Sequence, residues 1–132
     1  MNMQRAILCV DDEKSILNGL QQQIYRVFGD DFLLEFAQSV EEAMEVMEDF
    51  QMNRISVDLV ITDQMMPGRN GSDLIRQLND AYPNTKCILL TGYAENEVID
   101  SLNTPNLISC LNKPWEMEEL TALIHEQLGK KA

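Results

Sequence analysis

Five short apolar runs punctuate the chain, at 6–10, 32–37, 57–62, 86–91 and 106–111, each bounded by polar or turn-forming residues. Runs of this length predict β-strands. Between them lie longer stretches in which apolar residues recur at helical spacing. Ile16, Leu17, Leu20, Ile24, Val27 and Phe28 share one helix face. A second helix is expected from Ser39, which forms a capping box with Glu42, and it buries Val40, Ala43, Met44 and Met47. The third carries Leu74, Ile75 and Leu78 and starts after Gly71, with Ser72 or Asp73 near its N-terminus. A short fourth helix holds Val98, Ile99 and Leu102 before Pro105 stops it. The fifth follows Pro114 and buries Met117, Leu120, Leu123, Ile124 and Leu128.

Five repeats of strand then helix imply an α/β fold: a parallel five-stranded sheet, doubly wound by five helices. Strands 1, 3 and 4 are continuously apolar, as central strands covered on both faces must be. Strand 2 carries Glu35 among Phe32, Leu33, Leu34 and Phe36, which suits an edge. These features support the flavodoxin-like order 2-1-3-4-5, in which ligands meet the carboxyl ends of strands 1 and 3. The 132 residues read as a single domain, 1–132, with its core between about 5 and 128. No linker, repeat or low-complexity stretch interrupts it.

Composition narrows the function. The hydrophobic fraction of 45% suits a soluble globular domain, and no stretch approaches the roughly 20 apolar residues of a membrane span. A formal charge of -12 repels a phosphate backbone, which argues against direct nucleic-acid binding. Much of the acidity, as in Glu41-Glu42, Glu48-Asp49 and Glu116 to Glu119, reads as solvated helix surface. Cys9, Cys87 and Cys110 each sit inside an apolar run, an odd count without close spacing. Reduced thiols and a cytoplasmic location are expected.

The carboxylates at strand ends need a different account. Asp11-Asp12 ends the first run, Asp63 the third, and Lys113-Pro114 the last. With strands 1 and 3 adjacent, Asp11 and Asp12 converge on Asp63. Each carboxylate pair at ~4 Å costs about 4 kcal/mol at an effective dielectric near 20. Mg²⁺, a hard cation with oxygen ligands, relieves that crowding and bridges carboxylates to a phosphoryl oxygen. Thr91, at the end of strand 4, adds a hydroxyl donor and Lys113 a compact ammonium. Together these groups suit a phosphoryl group held at Asp63.

In these residues the chain resembles the receiver domains of two-component response regulators, over nearly its whole length. The matching elements are Asp11-Asp12-Glu13, Asp63 with Met66-Pro67-Gly68 and Gly71, Thr91-Gly92-Tyr93-Ala94, and Lys113-Pro114-Trp115. Thr91 and Lys113 stand 22 residues apart, a separation typical of that family. The resemblance implies that Asp63 accepts a phosphoryl group from a phosphohistidine on a sensor histidine kinase or phosphotransfer protein. It implies Mg²⁺ on Asp12, Asp63 and the backbone carbonyl of Met65, with Asp11 acting through water. Lys113 would pair with the phosphoryl group beside a cis peptide to Pro114, and Thr91 would move toward the phosphate. The added charge of about -1.5 to -2 would then alter binding to an output domain or downstream protein, or promote a dimer. The aspartyl phosphate would be lost slowly to water, so the chain is not expected to be an ordinary enzyme.

Two positions depart from the family pattern. Cys110 stands where an aromatic residue often accompanies the threonine shift, which shifts the expected switch onto Thr91, the 92–96 loop and Trp115. Asn70 stands where Asp is frequent, a loop change. The Lys113-Pro114-Trp115 ending resembles receivers joined to cyclic-dinucleotide phosphodiesterase or ATPase output domains.

Competing readings are weaker. A flavodoxin-like nucleotide binder shares the fold class but wants a Gly, Ser and Thr-rich phosphate loop where this chain has Asp11-Asp12-Glu13. A haloacid-dehalogenase-type phosphatase wants a second Asp at position 65, which is Met. A receiver-like module that is never phosphorylated would have no use for the intact site. Among bland assignments, Met65 and Met66 read as loop packing, His125 as exposed, and Trp115 and Tyr93 as ordinary packing beside the site.

Overall fold

Strand alternation sorts the apolar side chains into two cores, one on each face of a five-stranded sheet. The computed structural model describes residues 4–92, 102 and 104–129. The elements run β1 (Arg5–Val10), α1 (Lys14–Phe28), a 3-10 turn (Gly29–Asp31), β2 (Leu33–Ala37), α2 (Val40–Met52), β3 (Ser56–Asp63), α3 (Gly71–Ala81), β4 (Lys86–Thr91), β5 (Leu107–Asn112) and α4 (Met117–Leu128). The sheet order is β2-β1-β3-β4-β5, with every pairing parallel. This is the expected topology, with β2 at an edge. Four helices are described; Val98 and Ile99 of the expected fourth helix lie outside the described residues, while Leu102 is buried.

On β1, Ala6, Leu8 and Val10 enter one core with Val40, Ala43 and Met47 of α2 and Leu74, Ile75 and Leu78 of α3. Ile7 and Cys9 point the other way, meeting Leu17, Leu20, Ile24 and Phe28 of α1 and Leu120 and Ile124 of α4. A parallel sheet covered on both faces needs apolar side chains at consecutive positions, which explains the unbroken runs. Burial pushes the Cys9 and Cys87 thiols up to about 12, so both are inert packing groups.

The β1–β3 pairing contains one irregularity. Ala6 faces Val57 but Ile7 faces Leu59, leaving Asp58 as an extra residue. Bulges of this kind bend a strand and re-aim the side chains beyond them. Asp58 accepts from Arg5 Nε at 2.7 Å and from the Ser56 hydroxyl, while Arg5 Nη2 also donates to the Leu128 carbonyl at 2.8 Å. The far end of the sheet is thereby tied to the end of α4.

Several local expectations need correction. Ser39 caps α2 by accepting from Glu42 N–H, but the return bond of a capping box is not among the described contacts. The reciprocal box forms instead at α3, where Asn70 and Asp73 exchange side-chain-to-backbone bonds at 2.9 and 3.0 Å. That helix therefore begins at Gly71, earlier than its apolar pattern indicates. Met66 packs into the core as expected of a loop-packing residue, whereas Met65 is 65% exposed and does not pack. Met44, Met117, Leu123 and Leu128 are only partly buried.

Gly71 locks α3 against the end of β3. Its N–H donates to the Gln64 carbonyl at 3.0 Å, and a Cβ at this position would meet the Asp63 carbonyl oxygen at 2.3 Å. The obstacle is backbone, which cannot rotate away. Gly71→Ala should therefore lower stability by about 3 kcal/mol in urea unfolding, and a change below about 1 kcal/mol would show that α3 can slide off β3 at little cost.

Candidate functional site

The same two-residue period that builds the cores aims the polar residues at the strand ends. Ile7 and Cys9 of β1, Leu59 and Ile61 of β3, and Leu111 of β5 share the α1–α4 face. Two residues further along each strand come Asp11, Asp63 and Lys113. Their side chains meet: Lys113 Nζ lies 2.8 Å from Asp63 Oδ1 and 3.3 Å from Asp11 Oδ2. One carboxylate oxygen from each of Asp11, Asp12 and Asp63 falls within a cluster no more than 4.8 Å across. Asp11 is fully buried, Asp63 nearly so, and Asp12 is partly open to solvent.

The backbone around each of the three acids is anchored. The Asp11 N–H donates to the Ala37 carbonyl at 3.0 Å, and Asp11 Oδ1 accepts from the Glu13 N–H at 2.9 Å as α1 begins. Gln38 Nε2 donates to the Asp12 carbonyl at 3.2 Å. At Asp63, the Thr62 hydroxyl donates to the backbone carbonyl at 3.0 Å, and the next residue, Gln64, donates to the Leu90 carbonyl at 3.0 Å. Buried Gln64 then turns its Oε1 onto Ser72, accepting from its N–H at 2.8 Å and its hydroxyl at 2.9 Å. Both ends of the 64–71 loop are thus pinned to α3.

Electrostatics mark the cluster as under-neutralised. Burial raises the Asp11 pKa above its ordinary value, the Glu13 N–H opposes this, Asp63 adds to it and Lys113 works against it. For Lys113 burial acts to lower the pKa, but the hydrogen bond and charge of Asp63, then those of Asp11, outweigh it and leave the ammonium above its usual range. One ammonium therefore serves two carboxylates with a third close by.

Thr91 is fully buried at the end of β4, and its hydroxyl donates to Asn112 Oδ1 at 3.3 Å. The Lys113 N–H donates to the Thr91 carbonyl at 2.7 Å, which sets the lysine beside β4. The Lys113–Pro114 peptide is cis, as the resemblance implied. The Met65 side chain faces solvent, leaving only its backbone available to the site. Trp115 is half-buried and donates from Nε1 to Gln23 Oε1 at 2.7 Å, and His125 is exposed. Tyr93 and the 93–96 part of the expected switch loop lie outside the described residues. Sequence reasoning missed the site roles of Gln64, Ser72 and Asn112, because single amides and hydroxyls at the ends of strands and helices carry no periodic signal.

Comparisons with known proteins converge on one family. Residues 7–125 match the family model of the response regulator receiver domain. The sensor kinase CckA of Brucella abortus is 33% identical over 129 residues, covering 95% of this chain and 13% of that protein. The hydrogenase transcriptional regulatory protein HoxA of Bradyrhizobium diazoefficiens is 28% identical over 127 residues, covering 96% of this chain and 24% of that protein. This chain thus spans a minor part of those relatives. Among solved structures, the signal receiver domain of an HD domain-containing protein from Pseudomonas fluorescens superposes with a TM-score of 0.82 at 29% identity, covering 97% of this chain and 89% of that one. A CheY-like receiver domain protein from Methanospirillum hungatei gives a TM-score of 0.78 at 27% identity, covering 96% and 94%. With a family match across residues 7–125, the chain belongs to the response regulator receiver domains.

Proposed function

We propose that Asp63 is the phospho-acceptor of this receiver, taking a phosphoryl group from a phosphohistidine on a kinase or phosphotransfer protein. A carboxylate oxygen of Asp63 attacks phosphorus, a P–O bond forms, and the P–N bond breaks with its electron pair leaving on the imidazole. The observation that carries this reading is the convergence of Asp11, Asp12 and Asp63 on one another, with the Lys113 ammonium paired to Asp11 and Asp63. Lys113, already 2.8 Å from Asp63, is placed to pair with the charge that arrives on the phosphoryl oxygens. Thr91 offers a hydroxyl to one of those oxygens. The buried 64–71 loop ends hold the acceptor in position during the displacement.

The donor set suits Mg²⁺. Its oxygens are hard, closely grouped and short of positive charge, and one ligand stays open to water. Asp12, Asp63 and the Met65 carbonyl would hold the ion, with Asp11 acting through water. When bound, Mg²⁺ supplies charge neutralisation for the acceptor and the incoming phosphoryl oxygens. The chemistry ends on the protein's own side chain, so it is stoichiometric, with slow hydrolytic loss rather than turnover.

The output of such a modification is altered protein binding, by an attached output domain or a separate partner. The receiver of an HD domain-containing protein among the similar structures fits the former. Cys9, Cys87 and Cys110 are not joined in disulfides, which suits a reducing cytoplasm. Among the described residues no helix is long and apolar enough to cross a membrane.

Incubation with Mg²⁺ and a small phosphodonor should add one phosphoryl mass to the intact protein, and Asp63→Asn should abolish it. An unmodified wild type, or an Asp63→Asn variant that is still modified, contradicts the assignment. The raised Asp11 pKa makes a second expectation. Without metal, the cost of burying charged Asp11 is fully present above its folded pKa and fades as pH falls through that value. Asp11→Asn should therefore be more stable than wild type at pH 7 in metal-free urea unfolding, with the gap closing in acid. Lower stability of Asp11→Asn at pH 7 would mean that the ion pair with Lys113 outweighs desolvation.

A further inference from the structure

We propose that Asn112 is the resting latch of Thr91, holding its hydroxyl until a phosphoryl oxygen takes it over. This rests on the reading of Asp63 as phospho-acceptor and adds a residue that controls its switch.

Thr91 and Asn112 are register partners across β4 and β5, and the backbones are joined by the 2.7 Å bond from Lys113 N–H to the Thr91 carbonyl. The two side chains therefore face each other on a fixed frame. Strand parity sends them to the opposite face from Lys113: Leu89, two residues before Thr91, and Cys110, two before Asn112, both belong to the α2–α3 core. At the ligand end, β5 thus presents adjacent residues with separate tasks. Lys113 balances the carboxylates, while Asn112 engages the hydroxyl.

The contact is suited to exchange. Its 3.3 Å length exceeds the roughly 2.5–3.0 Å of ordinary O–H···O bonds, so the amide holds the hydroxyl weakly. A phosphoryl oxygen is a charged acceptor, and bonds to ionised acceptors are roughly twice as strong as neutral ones. Rotation of the threonine side chain toward such an acceptor leaves the backbone bond intact and frees the Asn112 amide. Asn112 is exposed, so its release changes the surface beside the site.

Beryllium fluoride, a phosphoryl stand-in, can be titrated calorimetrically into the full chain with Mg²⁺ present. Removing the competing acceptor in Asn112→Ala should tighten binding by about threefold to tenfold. In a Thr91→Val background the same substitution should change nothing. Unchanged or weaker binding by Asn112→Ala overturns the latch, as does an equal gain in the Thr91→Val background. A second readout needs no phosphoryl group. NMR couplings should show one Thr91 side-chain rotamer in resting wild type and averaging in Asn112→Ala; identical rotamer populations also overturn it. Failure of wild type to bind beryllium fluoride, or equal binding by Asp63→Asn, would instead sink the phospho-acceptor reading, leaving the rotamer measurement to decide the latch.

Discussion

Crowded negative charge at the carboxyl edge of the sheet governs this molecule. Asp11 and Asp63 are buried within reach of each other and of Asp12, and only Lys113 opposes them at close range among the described residues. At an effective dielectric near 20 each close carboxylate pair costs about 4 kcal/mol. That is a large share of the roughly 5–15 kcal/mol by which a folded domain exceeds its unfolded chain. The fold therefore tolerates a local penalty that packing does not need. A site of this kind gains whenever positive charge arrives, and it must readjust when a phosphoryl group does.

Placement of those charges follows from the sheet. Two-residue periodicity carries Cys9 to Asp11, Ile61 to Asp63 and Leu111 to Lys113, each pair on one face. The bulge at Asp58 gives β3 the phase that lets Leu59 and Ile61 join that face. Gly71 then allows α3 to press on the Asp63 carbonyl, and Gln64 ties the following loop to Ser72. Core packing and site geometry are consequently one construction. The opposite face supplies Thr91 and Asn112, which bond to each other across β4 and β5.

Periodic features were legible in the sequence. The five apolar runs, the parallel order and the identity of the strand-end residues all follow from repeating patterns and from charge where packing has no use for it. Aperiodic features were not. The extra residue at Asp58 cannot be read as a bulge, since one acid inside a strand-like run looks the same whether or not the register shifts there. Asn70 begins α3 through a side-chain bond, whereas apolar spacing alone moved the start past Gly71. Met65 and Met66 look alike in sequence, yet the turn sends one outward and the other into the core. Asn112 drew no notice because a lone amide at a strand end signals nothing until its partner across the sheet is known.

Magnesium titration calorimetry on the unphosphorylated protein tests the central claim most directly, because it asks whether the gathered carboxylates form a cation site at all. The account predicts uptake of one ion per chain, with binding abolished or severely weakened in Asp12→Asn. Absence of any binding heat across a range of temperatures, or equal affinity in wild type and Asp12→Asn, would contradict it.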